Sequence, residues 1–197
     1  MFRYLAIPVI LFVLLLLLMQ YCETSGKSKR EAARNKRILS YIENYKELAI
    51  EEMGRSGVPA SIKLAQGLLE SSQGQSELAL KAHNHFGVKC GKGWDGMRYS
   101  VLSDEWDEKK HRMIPRLGCF RVYNNVTDCY RGHSDLLKNG SRYKELFELP
   151  LTDYKSWAYG LQKAGYATDP KYAEKLIKLI EKFGLYKYDR AFPFIPY

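Results

Sequence analysis

Leu68-Leu69-Glu70-Ser71-Ser72-Gln73-Gly74 sets a single acid at the end of an apolar stretch, just before a Ser/Gly turn, and His83-Asn84-His85-Phe86-Gly87 follows shortly after. A carboxylate in the last turn of a helix faces the negative end of the helix dipole, which disfavours ionisation. Burial beside Ile62 and Leu69 acts in the same direction, because apolar surroundings penalise the charged form. Both effects raise the pKa and keep the acid protonated near neutrality. That is the state a general acid needs to protonate a leaving glycosidic oxygen. The plainer alternative is a solvated glutamate at a helix end. Two other constellations compete. His83, His85, Cys90 and His111 match no common zinc spacing, so no metal is expected. Cys90 or Cys129 with His133 would make a nucleophilic thiol pair for amide cleavage. Cys129, however, falls inside a predicted helix, away from the settings that activate a thiolate.

The elements that must position Glu70 can be read from periodicity. Ile38, Tyr41, Ile42, Tyr45, Leu48, Ala49 and Met53 follow helical spacing, and Gly54 closes that segment. Pro59 suits the first turn of the next helix, with Ile62, Ala65 and Leu69 as its apolar stripe and Gly74 as its terminator. At about 100° per residue, Glu70 lies about 80° round from Ile62 and about 40° from Gln66. The acid is therefore expected at the edge of the buried stripe. From Trp94 to Tyr123 the helical period disappears. Met97, Tyr99 and Val101 alternate with polar residues, a charged turn runs from Asp104 to Arg112, and Phe120, Val122 and Tyr123 return. This pattern predicts a small antiparallel hairpin with a long tip. Three helices follow: Val126 to Leu137, stopped by Asn139-Gly140; Tyr154 to Leu161; and one capped by Asp169 with Pro170 in first position, running to Gly184. The fold class is α+β and mostly helical, with one small β lobe and a cleft between the lobes.

Length and charge bound the rest. The 197 residues suit one domain with short appendages. Leu5 to Met19 form an uncharged aliphatic run behind Arg3, as in a secretory leader. Residues 1–22 are accordingly expected to be a signal peptide or an N-terminal membrane anchor, 23–36 a basic linker, 37–189 the catalytic domain and 190–197 a short tail. Cys22 stands where a lipoprotein cysteine would, but Met19-Gln20-Tyr21 departs from the small residues such a site requires. In an exported chain two of Cys90, Cys119 and Cys129 are expected to pair. Cys90 with Cys119 is the expected pair, although spacing alone leaves the choice open. The net charge of +9 suits an anionic partner such as cell-wall carboxylates.

One longer pattern is specific. Ala65-Gln66-Gly67-Leu68-Leu69-Glu70-Ser71, Asn84-His85-Phe86-Gly87-Val88-Lys89, Cys119-Phe120-Arg121-Val122-Tyr123, Arg142-Tyr143, and Gly165-Tyr166-Ala167-Thr168-Asp169-Pro170 occur in this order. Together they resemble the endo-β-N-acetylglucosaminidase family of peptidoglycan hydrolases, over roughly residues 38–189. The resemblance implies a lysozyme-like, two-lobed fold and cleavage of the β-1,4 bond between N-acetylglucosamine and N-acetylmuramic acid. Glycan strands of peptidoglycan would be the partner, with no nucleic acid and no cofactor. The location would be the periplasm or cell envelope, with the N-terminal segment as a membrane tether if it is retained. It implies Glu70 as catalytic acid, Tyr166 as a tyrosine needed for activity, and Glu105 as the best match for a second carboxylate. Asn84 and Phe86 would line the sugar site by amide hydrogen bonding and ring stacking, and Trp94 would offer a sugar platform. The substrate's own N-acetyl group could instead supply the second function. A catalytically weak wall-binding protein, a muramidase or an amidase are the readings set against this one.

Overall fold

The helix that carries Glu70 is also the innermost. The computed structural model describes residues 6–91, 93–107 and 110–191, without the side chains of residues 6–19, 22–23, 103–107, 113 and 116. Helix α2 runs Ala60–Glu70, and every residue from Ala60 to Leu68 is buried. Three of those buried residues are polar, Ser61, Lys63 and Gln66, so each needs a partner inside the protein. At the helix start, Asp189 accepts hydrogen bonds from the Ser61 backbone N–H at 2.8 Å and from Ser61 Oγ at 2.6 Å. A carboxylate there faces the positive end of the dipole. At the other end Ser72, Gln73 and Gly74 take successive left-handed conformations, φ 51°, 60° and 79°. Gly74 thus closes a turn after the helix and does not end the helix itself.

Helix α1 runs Ala6–Ser56 without interruption. The segment expected to be a linker, 23–36, is helical throughout. Its alanines, lysines, arginines and glutamates are good helix formers, and no proline breaks the run. The helix ends at Ser56 and not at Gly54, because Gly57 (φ 81°) supplies the left-handed residue that stops it. The chain divides into two units, Met1–Ser40 and Tyr41–Tyr197. The expected leader or anchor, 1–22, falls almost wholly on residues whose side chains lie outside the description. Among the described residues, no helix is long and apolar enough to cross a membrane.

Within the second unit, Tyr41 of α1 packs against α2 at Gly67. A Cβ on Gly67 would stand 2.3 Å from the Tyr41 hydroxyl, so only glycine permits the approach. Helices α5 (Tyr154–Lys163) and α6 (Tyr172–Phe183) and a 3-10 helix, Leu185–Arg190, pack on α2. Trp157, Leu161, Leu176, Ile180 and Leu185 from these elements join Ile62, Leu64 and Leu68 in the core. Helix α4 (Val126–Asn139) is capped by Asn125, whose side chain accepts from the Asp128 N–H. A further 3-10 helix, Ser141–Glu148, follows it. The short helix α3 (Glu77–Ala82) was not expected from sequence; Ser76 caps it. Helix α6 starts two residues later than the Asp169-Pro170 signal suggests, because Asp169 instead accepts from the Lys171 N–H within the preceding turn.

The β lobe is one antiparallel hairpin, β1 (Arg98–Asp107) with β2 (Arg112–Arg121), in register from Arg98 opposite Arg121 to Asp107 opposite Arg112. The charged turn is therefore shorter than expected: Asp104, Glu105 and Asp107 are strand residues, since the alternation begun at Met97 simply continues. Lys89 bridges Phe120 on the outer side of β2. The bond between Cys90 and Cys119 ties the same two segments together.

Candidate active site

Glu70 is half-buried at the C-terminal end of α2. Its Oε1 accepts a hydrogen bond from the Tyr172 hydroxyl at 2.9 Å. Burial pushes the carboxyl above its ordinary pKa, and the Tyr172 bond offsets part of that rise. Tyr172 Oη accepts in turn from Gln66 Nε2 at 3.0 Å, one turn back on α2. The helix that holds the acid thus also holds the amide that aims its hydrogen-bond donor.

Tyr166 follows Gly165, whose φ of 72° turns the chain out of α5. Its ring stacks on Tyr172, with centroids 5.6 Å apart and planes at 24°. Its hydroxyl is part-buried, lying 2.9 Å from His133 Nε2 and 3.4 Å from the Phe86 carbonyl oxygen. Burial, then the neighbouring Tyr172 and Glu70, push the phenol well above its usual pKa, so it stays neutral. His133, from α4, is fully buried and stacks face to face on Phe86 at 4.0 Å. Glu70, Phe86, Arg121, His133, Arg142 and Tyr166 border one cleft of about 550 Å³. A volume of that order suits a ligand of sugar size.

The structure sorts the remaining expected residues. Asn84 is enclosed, and its amide is committed to the backbone. Nδ2 donates to the Val88 carbonyl at 3.0 Å and the Arg121 carbonyl at 2.9 Å, while Oδ1 accepts from the Val88 N–H at 3.0 Å. These bonds use both amide N–H groups and one acceptor site of Oδ1, so Asn84 braces the loop beside the cleft. Phe86 borders the cleft, but its ring is covered by His133 on one face and by Tyr130 edge-on, with Lys63 Nζ 4.3 Å from its centroid. It is not an open stacking platform. Trp94 is not among the residues bordering this cleft; Arg121, which is, holds its guanidinium 4.5 Å over the Trp94 ring, and Trp94 Nε1 donates to the Met97 carbonyl. Glu105 stands opposite Ile114 in the hairpin, and its side chain lies outside the described residues.

The thiol alternative loses its geometry. Cys129 is fully buried, burial pushes its thiol up to about 11, and its Sγ accepts from the His85 N–H. His133 bonds Tyr166 and Lys63 and not a cysteine. Among the described residues, no group of three His, Cys, Asp or Glu side chains is placed to hold a metal. Tyr172 and Lys63 were missed as site residues. Tyr172 lies two positions after the Gly165–Pro170 segment of the sequence pattern, and only packing shows that it reaches Glu70.

Comparison with known proteins finds relatives over most of the chain. The sequence model described as mannosyl-glycoprotein endo-beta-N-acetylglucosaminidase matches residues 46–185. The exo-glucosaminidase LytG of Bacillus subtilis is 33% identical over 196 residues, covering 98% of this chain and 67% of LytG. The peptidoglycan hydrolase FlgJ of Pseudomonas aeruginosa is 28% identical over 151 residues, covering 75% of this chain but 37% of FlgJ. Among solved structures, the catalytic domain of the autolysin Auto from Listeria monocytogenes superposes with a TM-score of 0.68 at 26% identity, covering 82% of this chain and 96% of that domain.

Proposed function

Because this chain belongs to the mannosyl-glycoprotein endo-beta-N-acetylglucosaminidase family, we propose that it hydrolyses peptidoglycan at the β-1,4 bond between N-acetylglucosamine and N-acetylmuramic acid. The observation that carries this reading is the half-buried Glu70 carboxyl, kept above its ordinary pKa and held by Tyr172 in the wall of a sugar-sized cleft. A protonated carboxylic acid there delivers its proton to the glycosidic oxygen as the bond to C1 lengthens. The positive charge that develops at the anomeric carbon then needs a nucleophile or an activated water. Tyr166, neutral and bordering the same cleft, is suited to hydrogen-bond the N-acetyl group beside that carbon. If that group attacks C1 itself, the product keeps its anomeric configuration; if Glu105 activates water on the opposite face, the configuration inverts.

Glycan strands lie outside the cytoplasm, so the reading requires export. The aliphatic run behind Arg3 supplies an export segment, and the Cys90–Cys119 bond fits an oxidising compartment. Mass analysis of fragments released from purified cell wall tests the bond. New reducing ends on N-acetylglucosamine are expected; reducing ends on muramic acid, or freed peptide amines, would overturn the assignment. The size distribution of early fragments separates attack at chain ends, as the name of LytG describes for that protein, from cuts within the strand. Glu70→Gln should cut release about a thousandfold, and lysis at the wild-type rate would sink the role of Glu70.

A further inference from the structure

Lys63 is a charged side chain with no exposure at all, at the centre of the core helix. It stands seven residues before Glu70, about 20° round the helix and about 10 Å along it, so it lies beneath the wall that carries the acid. A buried ammonium is costly, and a methionine of similar volume would fill the space without that penalty. Its hydrogen bonds suggest why a lysine is there. Nζ donates to the Tyr130 carbonyl at 2.8 Å and lies 2.9 Å from His133 Nδ1. The other ring nitrogen, Nε2, lies 2.9 Å from the Tyr166 hydroxyl.

We propose that Lys63 and His133 are positioning residues that fix the direction of the Tyr166 O–H, so that its proton is presented to the N-acetyl carbonyl of the bound sugar. This rests on the reading of Tyr166 as a group that touches substrate. The logic follows from donor and acceptor inventories. An ammonium has donors only, so Nδ1 must accept and the imidazole must carry its proton on Nε2. Nε2–H then donates to Tyr166 Oη, whose own proton has to point elsewhere. Among the described residues the acceptor it reaches is the Phe86 carbonyl at 3.4 Å, a long bond that a substrate oxygen in the cleft can replace. Each bond in the series polarises the next, which strengthens Tyr166 as a donor without ionising it. The charge states agree. Burial, then Lys63, hold His133 well below its ordinary pKa and so neutral. Burial brings Lys63 down to about 7. A neutral amine still has two N–H groups, enough for both acceptors, so the arrangement survives its deprotonation.

Two measurements on the full chain test this. Nitrogen-15 NMR of the wild-type protein reports the His133 tautomer directly and needs no variant to fold. Protonation on Nε2 is expected, and protonation on Nδ1 overturns the proposal. The second is a double-mutant cycle, read as initial release of reducing ends from soluble glycan strands. Lys63→Met should lower kcat at least about tenfold with KM little changed. In a Tyr166→Phe background the same substitution should cost less than about twofold, because the group through which it acts is gone. Equal losses in both backgrounds would mean that Lys63 supports the fold alone, and would overturn the relay while leaving the role of Tyr166 intact. Wild-type activity in Tyr166→Phe would instead remove the reading on which the relay depends.

Discussion

The two sides of the second unit handle polar groups in opposite ways. On the helical side two hydrogen-bonded series, Lys63–His133–Tyr166 and Gln66–Tyr172–Glu70, meet where the Tyr166 ring stacks on Tyr172, with Lys63, Gln66 and His133 wholly buried. On the hairpin the outer face is open even to apolar side chains: Leu102 is 68% and Leu117 70% exposed, directly opposite one another. A catalytic group gains most from dipoles that are already aimed before the substrate arrives. The helical side has that property, and the hairpin's outer face does not. The difference implies that substitutions in the helical wall will lower turnover, and that substitutions on the hairpin will act weakly or on binding.

The largest expected effect is at Glu70. Glu70→Gln keeps the shape and the Tyr172 contact but cannot give up a proton. Turnover should fall about a thousandfold, within the range for general acid catalysis, while sedimentation with cell wall stays unchanged. Loss of binding in step with activity would break the comparison at its strongest point. In the wild type, activity should also fall as pH rises through the Glu70 pKa. Burial raises that pKa, so the alkaline limb should stand above the range of an ordinary glutamate.

How far this wall could be read from sequence depends on where each partner lies along the chain. Glu70 was legible because its surroundings are local: an apolar stripe before it and a Ser/Gly turn after it. The helices α4, α5 and α6 were legible for the same reason, and the hairpin was legible from alternation. Lys63 was not, because a lysine reads as a surface residue, and the groups that accept from it are 67 and 70 positions away. The bracing role of Asn84 was hidden for the same reason, since one of its backbone partners, Arg121, is 37 positions off. Helix α3 has only six residues, too few for a period to register. The continuous helix through 23–36 was hidden by its charge, since the same lysines and arginines suit a linker and a solvated helix equally.

A second prediction probes the cost of the buried wall. The folded-state pKa of Lys63 is lowered by burial from 10.5 to about 7. Between those values the unfolded chain binds the extra proton and the folded one does not, so stability rises with pH through that window. The slope from this group should be on the order of 1.4 kcal/mol per pH unit. Glu52, Arg55, Cys129, His133 and Asp135 surround it electrostatically. Of these, Cys129 is raised by burial from 9.0 to about 11, so its own linkage begins near pH 9 and unfolding is best compared between pH 7 and that point. Denaturant melts of wild type and Lys63→Met should diverge there, with the variant the flatter. Parallel curves would mean that the lysine is not carrying that burial penalty.

The hairpin gives smaller numbers. Glu105→Gln is expected to reduce the rate about tenfold, well short of Glu70→Gln, with the anomeric configuration of the product unchanged. That outcome fits a sugar that uses its own N-acetyl group as nucleophile, with the hairpin acid adding only electrostatic support. A loss equal to that of Glu70→Gln would make the hairpin an equal partner in the chemistry and erase the asymmetry.

The smallest effect tests the hairpin's outer face itself. Leu102 and Leu117 form a cross-strand pair, and such pairs contribute roughly 0.2–1 kcal/mol relative to alanine. Replacing both with threonine introduces β-branched residues that suit a strand while removing the apolar patch. Because both leucines are already mostly in water, little buried area is lost, and stability should change by less than about 1 kcal/mol. Rate on soluble glycan strands should stay at the wild-type value, because neither residue borders the cleft. A larger loss of stability would mean that this face is covered in the working protein. A loss of rate with stability intact would mean that the hairpin bends toward the substrate during turnover, and the fixed and the adaptable walls would then have to be treated as one machine.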